Sequence, residues 1–295
     1  MLLHGEKGAA LSELSLATRL RRAAERQQWV LYYQPIVNLE DGRMTGVEAL
    51  VRWNDPELGL ILPGRFIPLA EEMGLIGRID DWVLEELCRQ LGVWRSQGIV
   101  IDASFNLSLR RLWERDVVEH VVGTLESNGV APSTVVVEIT ESTAMADPER
   151  TERVLADLRT QGLRVAIDDF GTAYSSLSRL KELDINVLKI ATPFVRDALK
   201  SSKGASLLTA IVRLAHAVGI EPLGEGIEFE PQSRYLVQLG CRRGQGFFFS
   251  PPVPPRQIPG LARRPLGQWV GVPGGFEQAS LWPIGGRGVR PSRHR

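Results

Sequence analysis

From Trp29 onward the chain alternates short apolar runs with longer amphipathic stretches. The apolar runs, rich in Val, Ile and aromatic residues, cover 29–37, 43–53, 99–108, 134–139, 163–168, 185–190, 220–225 and 246–249. Between them, apolar residues recur at helical spacing over 65–72, 78–97, 109–127, 148–161, 193–217 and 229–239, with a shorter stretch near 174–181. Near-continuous apolar strands separated by helices form a parallel sheet covered by helices. Eight such strands fit a closed, TIM-like (β/α)8 barrel of the α/β class better than an open sheet. The first two runs are joined only by Asn38 and the Asp41-Gly42 turn, which predicts an antiparallel pair and a departure from the regular barrel at its first strand. Leu11, Leu14, Leu16 and Leu20 place an amphipathic helix before the first strand. The expected organisation is a helical lead-in over 1–28, a barrel over 29–252 and a tail over 253–295.

A polar residue recurs at or just past the ends of these runs. Glu48, Asn106, Glu138, Asp168 with Asp169, Lys189, Glu225 and Gln245 each hold such a position. One acid at a strand end is ordinarily a helix cap or a solvated loop residue. In a barrel, however, all the carboxyl ends of the parallel strands open on one face, where active sites lie. The set therefore predicts one ring of polar groups. Asp168-Asp169 is the sharpest element, because adjacent acids closing a buried strand repel unless a cation lies between them. Carboxylates and one amide oxygen, with no Cys or His, suit Mg²⁺ or Mn²⁺ rather than zinc. Glu48, Glu138, Asp168 and Asp169 balance the charge of two divalent ions, and a carboxylate shared between two ions, as Asp168 can be, belongs to two-metal phosphate chemistry.

Charge narrows the partners. The formal net charge is zero, but seven arginines and a single acid lie beyond Ser250, which leaves residues 1–250 with 28 basic and 34 acidic groups. Such a body is not a polyanion binder, so no nucleic-acid partner is expected. Two cysteines and no CxxC exclude a disulfide scaffold and a zinc cluster. No apolar run reaches membrane-spanning length, and Glu6 and Lys7 interrupt any leader-like stretch, so a cytoplasmic location is expected. Nine of the 18 prolines and eight glycines fall in 251–295, which predicts a poorly ordered tail.

The motifs, taken in order, resemble the EAL domain family. They are YQPI (33–36), GVEALVRW (46–53), FIPLAEE with GLI (66–76), FNLS (105–108), EITES (138–142), DDFGTAYSSL (168–177), LKI (188–190), GEGIE (224–228) and QGFFFS (245–250). No single piece decides it; the ordered set over about 240 residues is specific. The resemblance implies a barrel with an antiparallel first strand. It also implies hydrolysis of cyclic di-GMP to linear pGpG by a homodimer with two Mg²⁺ or Mn²⁺ ions per site. Carried over residue by residue, Glu48, Asn106, Glu138 and Asp168 resemble the ligands of one metal, and Asp168 and Asp169 those of the other. Lys189 matches the lysine that touches the attacking water. Glu225 matches the glutamate that supports the metals or their water, as base or as outer ligand. Gln34 and Arg52 match substrate contacts, Glu228 and Gln245 match further site residues, and Glu141 matches the acid that holds the loop after Asp169.

Three positions depart from the family pattern. Ala191 stands where an aspartate of the metal and water network is usual, and Ala173 where a glycine is usual in a loop tied to dimerisation. Asp55 replaces a histidine and reads as surface variation. The first two also fit a degenerate barrel that serves as a cyclic di-GMP receptor or scaffold without turnover. No cyclase motif or sensor domain is expected within the first 28 residues, which are too few for one.

Overall fold

The computed structural model describes residues 3–172 and 183–267, with side chains from Ser15 onward. The expected helix near 174–181 and Ala173 lie outside the described residues. Nine strands form one sheet: β1 Trp29–Asn38, β2 Met44–Asp55, β3 Gly59–Ile61, β4 Asp102–Asn106, β5 Val135–Thr140, β6 Arg164–Phe170, β7 Val187–Ile190, β8 Glu221–Gly224 and β9 Arg243–Gly244. The order β1-β9-β8-β7-β6-β5-β4-β2, with β1 paired to β2, closes an eight-stranded barrel, and β3 folds back on β2 as a hairpin outside the ring. As the Asp-Gly turn predicts, β1 runs antiparallel to β2; it also runs antiparallel to β9, while the remaining ring pairs are parallel.

Alternate residues of each strand face the barrel interior, and the registers stack them in layers. Ile36, Val136, Ala166, Val187 and Leu223 form an apolar middle layer. One pleat toward the strands' N-terminal ends, Arg164 bonds Asp102 at 2.8 Å and Glu221 at 3.3 Å, and Arg243 bonds Glu221 at 3.3 Å. This ion-paired floor closes the lower mouth. One pleat above the middle layer come the polar strand-end residues.

The helices cover the outside. α1 Leu3–Arg26 buries Leu20, Ala23 and Ala24, and α2 Pro63–Glu72 buries Phe66, which stacks on Trp29. α3 Ile76–Ser96 buries a face including Ile79, Val83, Leu84 and Leu87. The expected helix over 109–127 is two helices, α4 Leu109–Leu112 and α5 Val117–Ser127. The break has a polar cause: buried Arg111 bonds Asp81 of α3 together with Glu114 and Asp116, all at 2.7 Å, and the chain turns through 113–116 to deliver those two acids. α6 Glu141–Ala146 precedes α7 Pro148–Thr160; α8 Thr192–Asp197 and α9 Ser202–Ala217 follow β7, and α10 Glu230–Gln238 follows β8.

Three expectations need correction. The last strand is Arg243–Gly244, not 246–249. Phe247 to Phe249 form a turn instead, with the Phe248 amide donating to Ile227 O and the Phe248 and Phe249 rings edge-to-face at 5.0 Å. Asp55 is not surface variation: it is 3% exposed, accepts the amides of Glu57 and Leu58, and pairs with Arg19 of α1. Residues 253–267 pack on the barrel rather than trail from it. Val253 bridges to Tyr33, Trp94 Nε1 donates to Pro255 O, and the short helix α11 Ile258–Ala262 buries Ile258 completely. Proline there ends regular structure, but the interspersed apolar side chains still find burial.

Candidate metal and phosphodiester site

The centre of the upper layer is Lys189, on β7 and 1% exposed. Its Nζ lies 2.6 Å from Glu138, 3.0 Å from Glu225 and 3.2 Å from both Glu48 and Asp168. Four strands, widely spaced in sequence, thus meet one ammonium. Gln245, just past β9, donates from Nε2 to Glu48 Oε2 at 2.7 Å and to Glu225 Oε1 at 2.9 Å. Asn106, at the end of β4, donates from Nδ2 to Glu48 Oε1 at 3.1 Å.

Adjacent strand residues ordinarily point to opposite faces, yet Asp168 and Asp169 act together. Two features of β6 explain this. Its register to β7 shifts between Ile167 and Phe170, and Asp169 takes φ 55°, a left-handed conformation that Asp tolerates better than most residues. The Asp169 amide then donates to Asp168 Oδ1 at 2.8 Å. Two triads result, Glu48–Glu138–Asp168 and Asp168–Asp169–Glu225, each with carboxylate oxygens within 4.8 Å of one another. Asp168 belongs to both.

The electrostatics follow from burial. Desolvation pushes the Glu138 carboxyl up to about 8, against the pull of Lys189 and with the help of Glu48 and Asp168. Burial likewise raises Glu225 well above the carboxylate range, and it raises Asp169, with Asp168 adding to the effect. For Lys189 burial works against the charge, but the surrounding Asp168, Glu138, Glu225 and Glu48 outweigh it and raise the ammonium well above its ordinary value. Five carboxyl groups gathered around one ammonium cannot all ionise at little cost unless cations join them, which suits hard divalent cations held by oxygen.

The other expected residues divide. Arg52 is buried near the rim over the Tyr32 ring at 5.8 Å, and burial lowers its guanidinium to about 10 against the opposing field of Glu48. Gln34 is Cα-paired with Glu48 and donates to Ser250 O at 3.4 Å. Glu141 accepts the Gly171 amide at 2.7 Å and so grips the turn after Asp169. Glu228, three residues beyond Glu225, is exposed. Ala191 is fully buried at the start of α8. One residue beneath the site has no place in the strand-end pattern. Asp80 of α3, 7% exposed, holds Ser108 just past Asn106. Its signal in the sequence is an acid in phase with the apolar face of α3.

The EAL domain family matches residues 17–252. The chain is 42% identical over 250 residues to the bifunctional diguanylate cyclase/cyclic di-GMP phosphodiesterase MucR of Pseudomonas aeruginosa, covering 84% of this chain and 36% of that protein. It is 35% identical over 251 residues to the cyclic di-GMP phosphodiesterase PA2567 of the same organism, covering 85% and 43%. It therefore spans about two fifths of the length of these relatives. A solved structure of the MucR phosphodiesterase in complex with c-di-GMP superposes with TM-score 0.79 at 42% identity, over 83% of this chain and 99% of that one.

Proposed function

The chain belongs to the EAL domain family, and on that premise we propose that it hydrolyses cyclic di-GMP to linear pGpG with the help of two divalent cations. The observation that carries the proposal is the position of Asp168 in both acidic triads at the open face of the barrel. Glu48, Asn106, Glu138 and Asp168 would hold one Mg²⁺ or Mn²⁺, and Asp168 and Asp169, with Glu225 beside them, the other. When bound, such ions neutralise charge on the phosphodiester and lower the pKa of water.

The chain's own groups do the rest. Lys189 holds four carboxylates in place and offers its ammonium to the attacking water. Glu225, in its ionised form, takes the proton that this water gives up. Gln245 fixes Glu225 and Glu48 through one amide and, with Gln34 and Glu228, borders the nucleotide. Arg52 presents a guanidinium suited to a phosphate oxygen. Glu141 keeps the turn after Asp169 in shape. We further propose a cytoplasmic location and a homodimeric state, of which analytical ultracentrifugation of the purified chain tests the second.

The deciding experiment incubates the protein with cyclic di-GMP and Mn²⁺ and follows binding and pGpG release together. Turnover should vanish with EDTA; turnover undiminished after thorough chelation would remove the metal assignment. One observation favours a second reading, a receptor that binds without turnover: Ala191 is buried and brings no carboxylate where the family pattern has one. Loss of such a supporting group typically costs about 10–100-fold in metal affinity or activity. Ala191→Asp should accordingly raise kcat or lower the Mn²⁺ requirement. Tight binding with no pGpG in the native protein identifies the receptor instead.

A further inference from the structure

Asn106 is the one neutral member of the proposed ligand set, and its placement depends on a short segment between β4 and α4. That segment is tied down from outside the barrel. Asp80 Oδ2 accepts the Ser108 hydroxyl at 2.5 Å and the Ser108 amide at 3.1 Å. Ser108 Oγ in turn accepts the Arg111 amide at 3.3 Å and so caps α4. The Leu107 amide donates to Glu138 O at 2.8 Å, which ties the same segment to the next strand. One residue along α3, Asp81 holds the Arg111 side chain at 2.7 Å. Two consecutive acids of one helix therefore clamp the cap and the first turn of α4, two and five residues beyond Asn106.

A carboxylate on the apolar face of a helix is costly to bury. Here both donors that meet it come from one residue, Ser108, which has no place in the proposed chemistry. We propose that Asp80 is a positioning residue for Asn106: by fixing Ser108 it sets where the Asn106 amide stands against Glu48 and Glu138. This rests on the metal-dependent reading of the site given above.

The test is Mn²⁺ affinity by isothermal titration calorimetry on the full chain, with thermal melts of the same samples. Asp80→Ala is expected to weaken Mn²⁺ binding about 10–100-fold, the usual cost of losing a group that orients a ligand. Asp80→Asn keeps an acceptor for both Ser108 donors and should restore most of the affinity. In an Asn106→Ala background, Asp80→Ala should have no further effect, because the two changes act through one ligand. Where Asp80→Ala does not fold, Ser108→Ala takes its place in the same cycle; it deletes the hydroxyl bond to Asp80 and the cap on the Arg111 amide but keeps the Ser108 amide bond to Asp80. An Asp80→Ala protein that melts lower yet binds Mn²⁺ like the native chain overturns the proposal, as does equal weakening with and without Asn106. A native chain that binds no Mn²⁺ overturns the metal reading and this proposal with it. A native chain that binds Mn²⁺ without releasing pGpG sinks hydrolysis alone, and the Asp80 series, read as affinity, still supports the proposal.

Discussion

Lys189 is one cation among acids that would otherwise face each other across the top of the barrel. Removing one partner of a buried, hydrogen-bonded charge cluster typically costs about 3–5 kcal/mol. Lys189→Met should therefore lower the stability of the protein in EDTA by an amount of that order, read as a lower Tm, and Mn²⁺ should recover much of the loss. A melt indifferent to both changes would mean that the acids are already neutral. Glu138→Gln is the converse test. Burial already pushes that carboxyl toward its neutral form, so the amide should raise the Tm in EDTA while abolishing Mn²⁺ binding. This is the expected conflict between a stable site and a working one. The strand-end residues were readable in the sequence because each polar side chain interrupts an apolar run, and the barrel rule gathers them on one face. Asp80 was not, since a helix offers no such rule and its partner Ser108 lies 28 residues away.

At the scale of elements, the strand order and the antiparallel start of the barrel were legible from alternation and one Asp-Gly turn. Less was legible where side chains overrule local preference. The Phe247–Phe249 run has strand propensity yet turns, because the backbone of Ile227 lies against Gly246, where a Cβ would come within 2.1 Å of Ile227 O. The neighbouring Gly226 combines φ +63° with a site where a Cβ would meet Thr192 at 2.4 Å. Gly226→Ala should displace Glu225 and lower turnover, given about 1–2 kcal/mol of backbone strain before any clash with Thr192. Unchanged kcat would show that the turn tolerates movement. Asp55 docks α1 on the β2–β3 hairpin. Burial opposes its charge, but the amides of Leu58 and Glu57 and the pairing with Arg19 outweigh it, so the carboxyl titrates below its ordinary value. A depressed folded pKa contributes stability above the unfolded pKa, and that stability is lost as pH falls through the folded value. Asp55→Asn should thus cost stability at pH 7, and variant and native melts should converge progressively as pH falls below about 4 and through the depressed folded pKa. A gap that persists in acid would assign the effect to packing.

For the whole molecule, packing continues past the final motif to the last described turn. Val253, Ile258 and Leu266 are buried, and the Leu266 amide donates to Gly42 O at 2.7 Å. Full burial of such side chains is worth about 1.5–3 kcal/mol each, against a typical domain stability of about 5–15 kcal/mol. A chain ending at Pro252 should therefore melt far below one ending at Gly267. Identical melts for both would show that the 253–267 segment adds no stability. The ion-paired floor of Asp102, Arg164, Glu221 and Arg243, with the apolar layer above it, has a kinetic consequence. Together with the side chains that fill a barrel interior, it makes the site a cul-de-sac toward the floor among the described residues. On the proposed reaction, the opened dinucleotide would therefore retreat along the path its cyclic parent took, and the two would contend for the same threshold on every cycle.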